Sequence, residues 1–347
     1  MRAVVFHRYG PPDVLRLVDR PLPPVGSGQV RVRIHASVAT PPDCAFRAAD
    51  PIIIRLMLGL TRPRHEGMGS TLAGEIDAVG EGVTRWSVGQ RVMGASDMTF
   101  GTYADFSVLG ENAVLAAIPD THGYAEAAAL SEGFLTAMPF LRDEARLSAR
   151  QSILINGASG SIGTMAVQLA GSAGAHVTGV CSHRNIDLIR SLGADAVIDY
   201  GRHDFTRDAG AYDVIFDAVG KSSFARAKRA LKPTGIYMTT VPSFGIVIPT
   251  LLAGNAGGKR GLLATTGLRA DSAKAADLDL LAAMMERGEL KAVIDRAYPL
   301  EMAAAAHDYV ETGRKRGSVV IAVTEKGQPE STLTSGPAKM NARAATP

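Results

Sequence analysis

Hydrophobic and polar positions divide the chain near residue 125 into two parts with different periodicity. In the first part, Val30–Ile34 alternates apolar side chains with arginines, and Thr71–Val79 continues the pattern in an apolar run followed by glycines. Alternation with a period of two is typical of half-buried strands. Prolines and glycines are frequent between these runs. Residues 1–125 are therefore predicted to form many short strands, arranged as a small β-barrel or sandwich.

The second part alternates continuous apolar runs with longer stretches of helical periodicity. Apolar strands separated by helices are typical of a parallel sheet covered on both faces, which right-handed crossovers turn into a doubly wound α/β fold. Further on, residues 271–287 and 302–311 are predicted to be helices and 317–323 a strand. The predicted strands of the sheet are 152–156, 176–181, 196–199, 214–217 and 235–240, and the predicted helices are 126–142, 162–173, 185–192 and 222–231.

Composition narrows the class of protein. The 347 residues include 37 Lys and Arg and 34 Asp and Glu, a net charge of +3, without a basic run of the kind that binds nucleic acid or an anionic membrane. The two cysteines, Cys44 and Cys181, are far apart, which excludes a disulfide framework and a cysteine-rich zinc site. The first residues do not resemble a signal peptide, and no apolar run is long enough to span a bilayer. We expect a cytoplasmic protein.

A glycine-rich segment lies between the predicted strand at 152–156 and the helix after it. It has the form A-x-G-x-x-G, in which Ala158 replaces the first glycine of a dinucleotide-binding loop. Gly160 would let a pyrophosphate approach the backbone, and Gly163 would let the helix lie close to the strand. The N-terminus of the helix would supply N–H groups and a positive dipole to the phosphates. The predicted cofactor-binding residues of this loop are Ala158, Ser159, Gly160, Ser161, Ile162 and Gly163.

The end of the next strand indicates which nicotinamide cofactor is bound. An NAD site usually has a carboxylate about 20 residues after the loop, for the ribose 2′-hydroxyl. Here the chain instead carries Ser182 and Arg184, and the first carboxylate is Asp187. A hydroxyl and a guanidinium suit a 2′-phosphate, so NADPH is the predicted cofactor.

These motifs, in this order, resemble the medium-chain dehydrogenase/reductase superfamily. The resemblance is carried by residues 157–163, 166–170 and 174–177, by Leu-Gly-Ala-Asp-Ala-Val-Ile-Asp-Tyr at 192–200 and by Tyr-Asp-Val-Ile-Phe-Asp-Ala-Val-Gly at 212–220. The opening residues 1–15 resemble its zinc-independent quinone oxidoreductase branch. The resemblance implies a GroES-like catalytic domain at 1–125, completed by 292–325, and a Rossmann NADP-binding domain at 126–291. Residues 326–347, rich in small and polar residues, are expected to be a disordered tail.

Catalytic zinc is not expected. Zinc-dependent members of the superfamily carry Gly-His-Glu where this chain has Gly69-Ser70-Thr71, and Cys44 alone near the first ligand position does not make a site. Without a Lewis acid, oxidation of a plain alcohol loses its usual stabilisation of the alkoxide. The resemblance therefore implies hydride transfer to an acceptor that is already polarised, a quinone or an α,β-unsaturated carbonyl.

The resemblance also implies roles for single residues. Thr40 replaces the asparagine that relatives carry beside the nicotinamide and could hydrogen-bond substrate or cofactor, whereas Asp43 is expected to cap the helix that follows. Glu132 could relay a proton, or it could be an ordinary solvated helix residue. Ser318 lies where relatives often have an asparagine near the cofactor. The remaining positions implied to lie near the cofactor are Thr136, Tyr200, Gly220 and Val241.

The sequence thus predicts an NADPH-dependent, zinc-independent reductase of quinones or enones, with a small hydrophobic carbonyl or quinone as substrate. Two alternatives remain: a metal-free carbonyl or alcohol oxidoreductase, and a non-catalytic NADPH-binding protein. By resemblance we also expect a homodimer formed through the edge strand at 262–266.

Overall fold

A computed structural model describes residues 1–96, 100–241, 258–263 and 268–329 of the chain. It contains a two-stranded ribbon, a seven-stranded mixed sheet and a six-stranded parallel sheet. The strands are β1 (Arg2–Val5), β2 (Arg16–Asp19), β3 (Gln29–Ala39), β4 (Thr71–Val79), β5 (Arg91–Ala95), β6 (Phe106–Gly110), β7 (Val114–Ala117), β8 (Ser152–Asn156), β9 (His176–Cys181), β10 (Ala196–Asp199), β11 (Tyr212–Asp217), β12 (Leu231–Thr239), β13 (Arg260–Leu263), β14 (Ile294–Pro299) and β15 (Ser318–Ala322). The helices are α1 (Pro41–Ala48), α2 (Ile54–Leu58), α3 (Tyr124–Pro139), α4 (Ser161–Ser172), α5 (Ile186–Ser191), α6 (Phe224–Ala227), α7 (Asp271–Glu286) and α8 (Ala303–Glu311).

The first sheet is built around the long strand β3. Its strand order is β14-β15-β3-β4-β5-β7, and β6 also pairs with β3. The alternation along β3 makes a half-buried strand, as predicted. Val30, Val32 and Ile34 are fully buried, while Arg31 and Arg33 pair with Asp77. The last two strands of the described chain therefore complete a sheet whose other strands come from its first 117 residues.

The second sheet has the order β10-β9-β8-β11-β12-β13, and all of its strands are parallel. This is the strand order of a doubly wound dinucleotide-binding sheet, in which successive strands are added in opposite directions along the sheet on either side of the boundary between β8 and β11. Ligands of such sheets bind at that switch point, at the carboxyl ends of the strands. The predicted α/β class is confirmed, with a strand-rich mixed sheet and a doubly wound parallel sheet.

Helix α3 connects the two sheets. It begins at Tyr124, two residues before the predicted start, and ends at Pro139, where a π-helical turn over Phe140–Glu144 follows. Its small side chains are buried on several sides, because it contacts β3, β4, β5 and β15 as well as α4 and α7. Helix α3 therefore lies between the two parts of the molecule.

The predicted helix over 222–231 is wrong in its extent. Ser223 caps α6 by accepting a hydrogen bond from the Arg226 backbone N–H, but the helix ends at Ala227. Leu231 already belongs to β12, where it pairs with Tyr212. The apolar residues of this stretch are thus shared between a short helix and a strand.

At the end of the described chain, a 3-10 turn at Glu325–Gly327 lies against β3. Residues 330–347, most of the predicted tail, are outside the described residues. Within the described ranges, none of the helices combines the length and the apolar character that crossing a bilayer requires.

Candidate active site

The loop between β8 and α4 is shaped by its glycines. Gly157 has a φ of +78°, a conformation that favours glycine, and its N–H and that of Ala158 both donate to the Val180 carbonyl of β9. A Cβ on Gly163 would lie 2.2 Å from the Gly157 carbonyl oxygen, so only glycine lets α4 come this close to the loop. A Cβ on Gly160 would meet nothing nearer than 3.6 Å, which leaves an open surface beside the first turn of α4.

The predicted loop residues therefore form a cradle at a helix N-terminus, whose first backbone N–H groups have no partner inside the helix. Such a terminus attracts anions. The cradle fits the pyrophosphate of a nicotinamide dinucleotide, because Gly160 carries no side chain that would cover the backbone and the first N–H groups of α4 have no partner inside the helix.

The other sheet reaches this loop through the turn before β15. The Gly317 N–H donates to the Ser159 carbonyl at 2.8 Å, and Gly317 pairs with Gly160 in an isolated bridge. Lys315 crosses to the first residue of α4, where its Nζ donates to Ser161 Oγ at 3.0 Å and to the Gly317 carbonyl at 2.8 Å. A cation thus lies at the mouth of the cradle.

Sequence reasoning missed Lys315, three residues before the predicted Ser318. Ser318 is buried at the start of β15, and its N–H donates to the Val293 carbonyl. The available signal was the basic run Arg314-Lys315-Arg316 directly before Gly317. The cation that contacts the loop comes from this run rather than from the strand.

Glu132 extends from α3 toward the same point. A Cβ on the adjacent Gly133 would lie 3.0 Å from the Ser161 carbonyl oxygen, so the two helices are in close contact here. Glu132 Oε2 is buried and has no hydrogen-bond partner among the described residues. Burial raises the pKa of this carboxyl, while the Lys315 charge and the Ser161 hydroxyl oppose the rise. Glu132 is therefore not the solvated helix residue of the alternative interpretation.

Thr40 and Asp43 form a capping box at the start of α1. Asp43 Oδ2 accepts hydrogen bonds from the Thr40 hydroxyl at 2.7 Å and from the Thr40 N–H at 3.0 Å, and Thr40 Oγ1 accepts from the Asp43 N–H. The capping role predicted for Asp43 is confirmed. Burial raises the Asp43 pKa to about 6, and the charge of Glu132 adds to the rise. The carboxyl groups of Asp43 and Glu132 therefore act on each other across the space between the two sheets.

A buried polar network continues from Asp43 away from the cradle. The Tyr103 hydroxyl lies 3.4 Å from Asp43 Oδ2 and 3.3 Å from His307 Nε2. Arg47 donates to His307 Nδ1 and to Glu311, so the ring hydrogen of the histidine is on Nε2, facing Tyr103. Burial and the Arg47 charge lower the His307 pKa to about 3, which keeps the ring neutral. This network holds α1, and with it Thr40, in place.

The donor set does not fit a catalytic zinc ion. Cys44 does have a histidine neighbour, with Sγ 3.5 Å from His307 Nδ1, but burial raises the Cys44 pKa to about 12, so the sulfur remains a thiol. Ser70 and Thr71 offer hydroxyls where a zinc site needs imidazole or carboxylate. In the described part of the chain, no three His, Cys, Asp or Glu side chains are grouped as metal ligands.

The residues predicted for the adenosine end lie around the ends of β9 and β10. Asn185, which sequence reasoning missed, donates to Ser159 Oγ at 3.0 Å and to Ser182 Oγ at 3.2 Å, so it links the loop to the end of β9. The Arg184 guanidinium donates to the Arg314 carbonyl at 3.0 Å, beside the turn that carries Lys315. Tyr200 is 66% exposed.

A carboxylate also occurs at this end of the sheet. Asp199 is the last residue of β10, and its Oδ2 lies 3.7 Å from His183 Nδ1 and 3.6 Å from Arg202 Nε. The Arg202 guanidinium is therefore a cationic neighbour of this carboxylate. The end of β9 itself carries Ser182 and no carboxylate, as the sequence indicates.

Of the remaining predicted positions, Gly220 and Val241 follow β11 and β12, and Thr136 lies on α3. Gly220 has a φ of +63°, and a Cβ on it would lie 2.6 Å from Val241 Cβ, so the turns after β11 and β12 touch each other. Thr136 is half-buried one turn beyond Glu132 on α3. The structure thus groups Glu132 and Lys315 with the loop and places Gly220 against Val241.

A doubly wound sheet with a phosphate cradle, covered by a GroES-like part that supplies a lysine to it, defines a two-domain nicotinamide-dependent oxidoreductase. A family model described as "Alcohol dehydrogenase GroES-like domain" matches residues 26–140, and one described as "Zinc-binding dehydrogenase" matches residues 192–321. The chain belongs to the medium-chain dehydrogenase/reductase superfamily, in its quinone oxidoreductase-like branch.

Three relatives illustrate the match. A quinone oxidoreductase of Pseudomonas aeruginosa is 31% identical over 335 residues, covering 92% of this chain and 99% of the relative. The trans-enoyl reductase pgmF of Aspergillus terreus is 30% identical, covering 87% and 88%. The solved structure of the quinone oxidoreductase from Coxiella burnetii has a TM-score of 0.80 at 27% identity, covering 93% and 99%.

Proposed function

We propose that the protein is a reductase that transfers a hydride from NADPH to a quinone or an α,β-unsaturated carbonyl without zinc. The observation that carries this proposal is the Glu132 carboxyl beside the phosphate cradle, whose Oε2 is buried without a hydrogen-bond partner among the described residues. Reduction of a polarised acceptor needs a hydride and a proton. The bound cofactor supplies the hydride, and a carboxyl whose pKa is raised is suited to supply the proton.

NADPH is the proposed cofactor because of the groups near the end of β9. Ser182 offers a hydroxyl there, and Arg184 carries a cation on the segment that follows. The nearby carboxylate of Asp199 lies 3.6 Å from the Arg202 guanidinium, which reduces its repulsion of a phosphate. These groups support recognition of a 2′-phosphate, for which hydrogen-bond donors and a guanidinium are suited.

Each group of residues has a proposed role. The loop residues from Ala158 to Gly163 bind the pyrophosphate, and Thr136, Gly220 and Val241 border the rest of the cofactor. Thr40 is the proposed substrate-positioning residue. Its hydroxyl hydrogen is directed to Asp43, so toward a ligand the oxygen offers its remaining lone pair. Glu132 is the proposed proton donor.

The test is oxidation of NADPH, with NADH in parallel, against a panel of quinones, enones and aldehydes, with and without a chelator. Turnover of quinones or enones that prefers NADPH and resists the chelator is the expected result. Formation of a C–OH product from aldehydes alone would favour a carbonyl reductase. NADPH binding without turnover across the panel would identify a non-catalytic binding protein.

We further propose a homodimer formed through β13, which is the last strand of the parallel sheet at this edge. Residues 264–267, which complete the predicted edge segment, lie outside the described residues. Light scattering on the purified protein should give twice the mass of the 347-residue chain, and a monomer would contradict the proposal.

A further inference from the structure

We propose that the Lys315 ammonium turns from Ser161 to the cofactor pyrophosphate when NADPH binds, which weakens its action on the charge of Glu132, and that Glu132 then takes up the proton that it gives to the reduced acceptor. This inference rests on the proposed reductase function. It assigns a new role to Lys315, which is to couple cofactor binding to the protonation of the proton donor.

The first step of the argument is the position of Lys315. Its ammonium reaches the first residue of α4, a helix of 12 residues whose N-terminus forms the cradle. Two of its three protons are donated, to Ser161 Oγ and to the Gly317 carbonyl. The turn that carries it is fixed to the loop by the Gly317–Ser159 hydrogen bond. A pyrophosphate in the cradle would therefore come within reach of this cation.

The second step is the carboxylate whose charge acts on Lys315 in the absence of a phosphate. Burial lowers the Lys315 pKa, and the charge of Glu132 opposes the fall. Lys315 donates to Ser161 Oγ, and the Ser161 hydroxyl lowers the Glu132 pKa. A hydroxyl can accept from an ammonium and donate to a carboxylate at the same time, so Ser161 can bridge the two groups. Glu132 Oε2 itself accepts no hydrogen bond from the described residues.

Other titratable groups of the described residues act on this pair. Asp43 faces Glu132, while Asp295 and Cys44 face Lys315. Asp295 already accepts hydrogen bonds from the Tyr309 hydroxyl and the Arg316 N–H, and Cys44 remains a thiol. Among these neighbours, Lys315 is the cation that favours the charged form of Glu132.

The third step is electrostatic competition. A pyrophosphate carries two negative charges and would lie at a helix N-terminus, so it attracts the ammonium more strongly than one carboxylate does. Once Lys315 turns to the phosphates, Glu132 loses its cation and gains an anionic neighbour in a site of low dielectric. Both changes favour the neutral acid. Glu132 therefore takes a proton from solvent as the cofactor binds.

The proton balance then closes over one turnover. The acceptor receives a hydride from the reduced cofactor and a proton from Glu132, which becomes a carboxylate. Release of the oxidised cofactor returns Lys315 to that carboxylate. The net reaction consumes one NADPH, one acceptor and one proton, and the proton enters at the cofactor-binding step.

The experiment is a calorimetric titration with NADPH, without acceptor, in two buffers of different ionisation enthalpy at pH 7. The buffer dependence of the heat gives the number of protons taken up per cofactor. Glu132→Gln is nearly isosteric and cannot titrate, so subtracting its value removes protons exchanged by the 2′-phosphate itself. The native protein should take up more protons than Glu132→Gln, by an amount approaching one per cofactor.

Two further variants test the role of Lys315. Lys315→Met should bind NADPH roughly tenfold more weakly, since it loses a charged contact to phosphate, and should show no uptake beyond that of Glu132→Gln. Arg314→Gln removes an equal charge from the adjacent position and should keep the native proton uptake. Circular dichroism and melting temperature check that each variant is folded.

The outcomes separate the two proposals. If the native protein does not bind NADPH, the proposed function fails. If the native protein and Glu132→Gln both bind NADPH and take up equal numbers of protons, the coupling is overturned and the reductase proposal stands. The role of Lys315 would also be overturned if Lys315→Met took up as many protons as the native protein, or if Arg314→Gln lost the proton uptake.

Discussion

Replacement of Gly160 by alanine should weaken cofactor binding and leave the fold nearly unchanged. Gly160 has a φ of −80° and a ψ of 174°, which any residue adopts, and its added Cβ would lie at an ordinary distance of 3.6 Å from the Gly157 carbonyl oxygen. The folded chain can therefore accept the methyl group. The expected loss of stability is about 0.5 kcal/mol, because alanine is a poorer N-cap than glycine.

The same methyl group would occupy the surface that the pyrophosphate is proposed to approach. A methyl carbon needs roughly 3.5 Å from a phosphate oxygen, whereas an N–H···O hydrogen bond needs about 2.9 Å between its heavy atoms. The phosphate is thus displaced from the N–H groups of the first turn of α4. Losing one hydrogen bond to a charged group costs about 1.5–3 kcal/mol, so we expect NADPH to bind tenfold to hundredfold more weakly.

The assay is a fluorescence titration of NADPH combined with a thermal melt. Gly171→Ala, in the same helix, is the matched control, because its Cβ would lie 3.8 Å from the Gly193 carbonyl oxygen. It should keep the native affinity and melt no lower than the native protein, since alanine is the better helix former. Gly163→Ala should lose both, since its Cβ would lie 2.2 Å from a backbone oxygen. Native affinity in a normally folded Gly160→Ala would refute the proposed path of the pyrophosphate.

Three further predictions concern other charged groups. Arg184→Glu should lower kcat/KM with NADPH at least tenfold and shift the preference toward NADH, because a carboxylate repels the 2′-phosphate; steady-state kinetics with both cofactors measure this. Asp43, whose pKa is raised to about 6, stabilises the fold below its unfolded pKa and loses that contribution as the pH rises through 6. In urea unfolding, the native protein should therefore lose about 1 kcal/mol between pH 5 and pH 8 relative to Asp43→Asn. Arg47→Met removes the guanidinium that donates to the Gly10 carbonyl and to His307 Nδ1 and should cost about 3–5 kcal/mol in the same assay. Glu311→Gln, at a 40% exposed side chain, still offers Arg47 an acceptor and should cost less than about 1 kcal/mol.

Each of these predictions can fail separately. An unchanged cofactor preference in Arg184→Glu would remove that residue from the 2′-phosphate site. Parallel pH profiles for the native protein and Asp43→Asn would show that the Asp43 carboxyl has an ordinary pKa in the fold. Equal losses in Arg47→Met and Glu311→Gln would mean that the ion pair, rather than the buried hydrogen bonds, carries the stabilisation.

The sequence predicts best where a local pattern determines the structure. The buried alternation in β3 and the strand–loop–helix around Gly160 are of this kind, because strand periodicity and backbone freedom depend on neighbouring residues. The short helix α6 was predicted too long because its end is determined by a distant part of the chain. Leu231 belongs to β12 because it pairs with Tyr212, and this pairing is set by another part of the chain.

The site residues that were missed depend on distant contacts. Lys315 meets Ser161 across 154 positions, and His307 meets Tyr103 across 204. No spacing rule connects such pairs, and a lysine in a basic run usually indicates a solvated surface. Glu132 could be named from the sequence, but its burial could not, since burial requires the close approach of α3 and α4 at Gly133.

The place of β15 between β14 and β3 also determines the order in which the chain can fold during synthesis. The parallel sheet uses strands that end at Leu263, whereas the mixed sheet needs two strands that begin at Ile294 and Ser318. While a ribosome extends the chain, the cofactor-binding sheet can therefore form before the sheet that began first. Until β15 emerges, β3 lacks its pairing partner along Ala36–Ala39, and this edge is the part of the nascent protein that most needs protection from association with other strands.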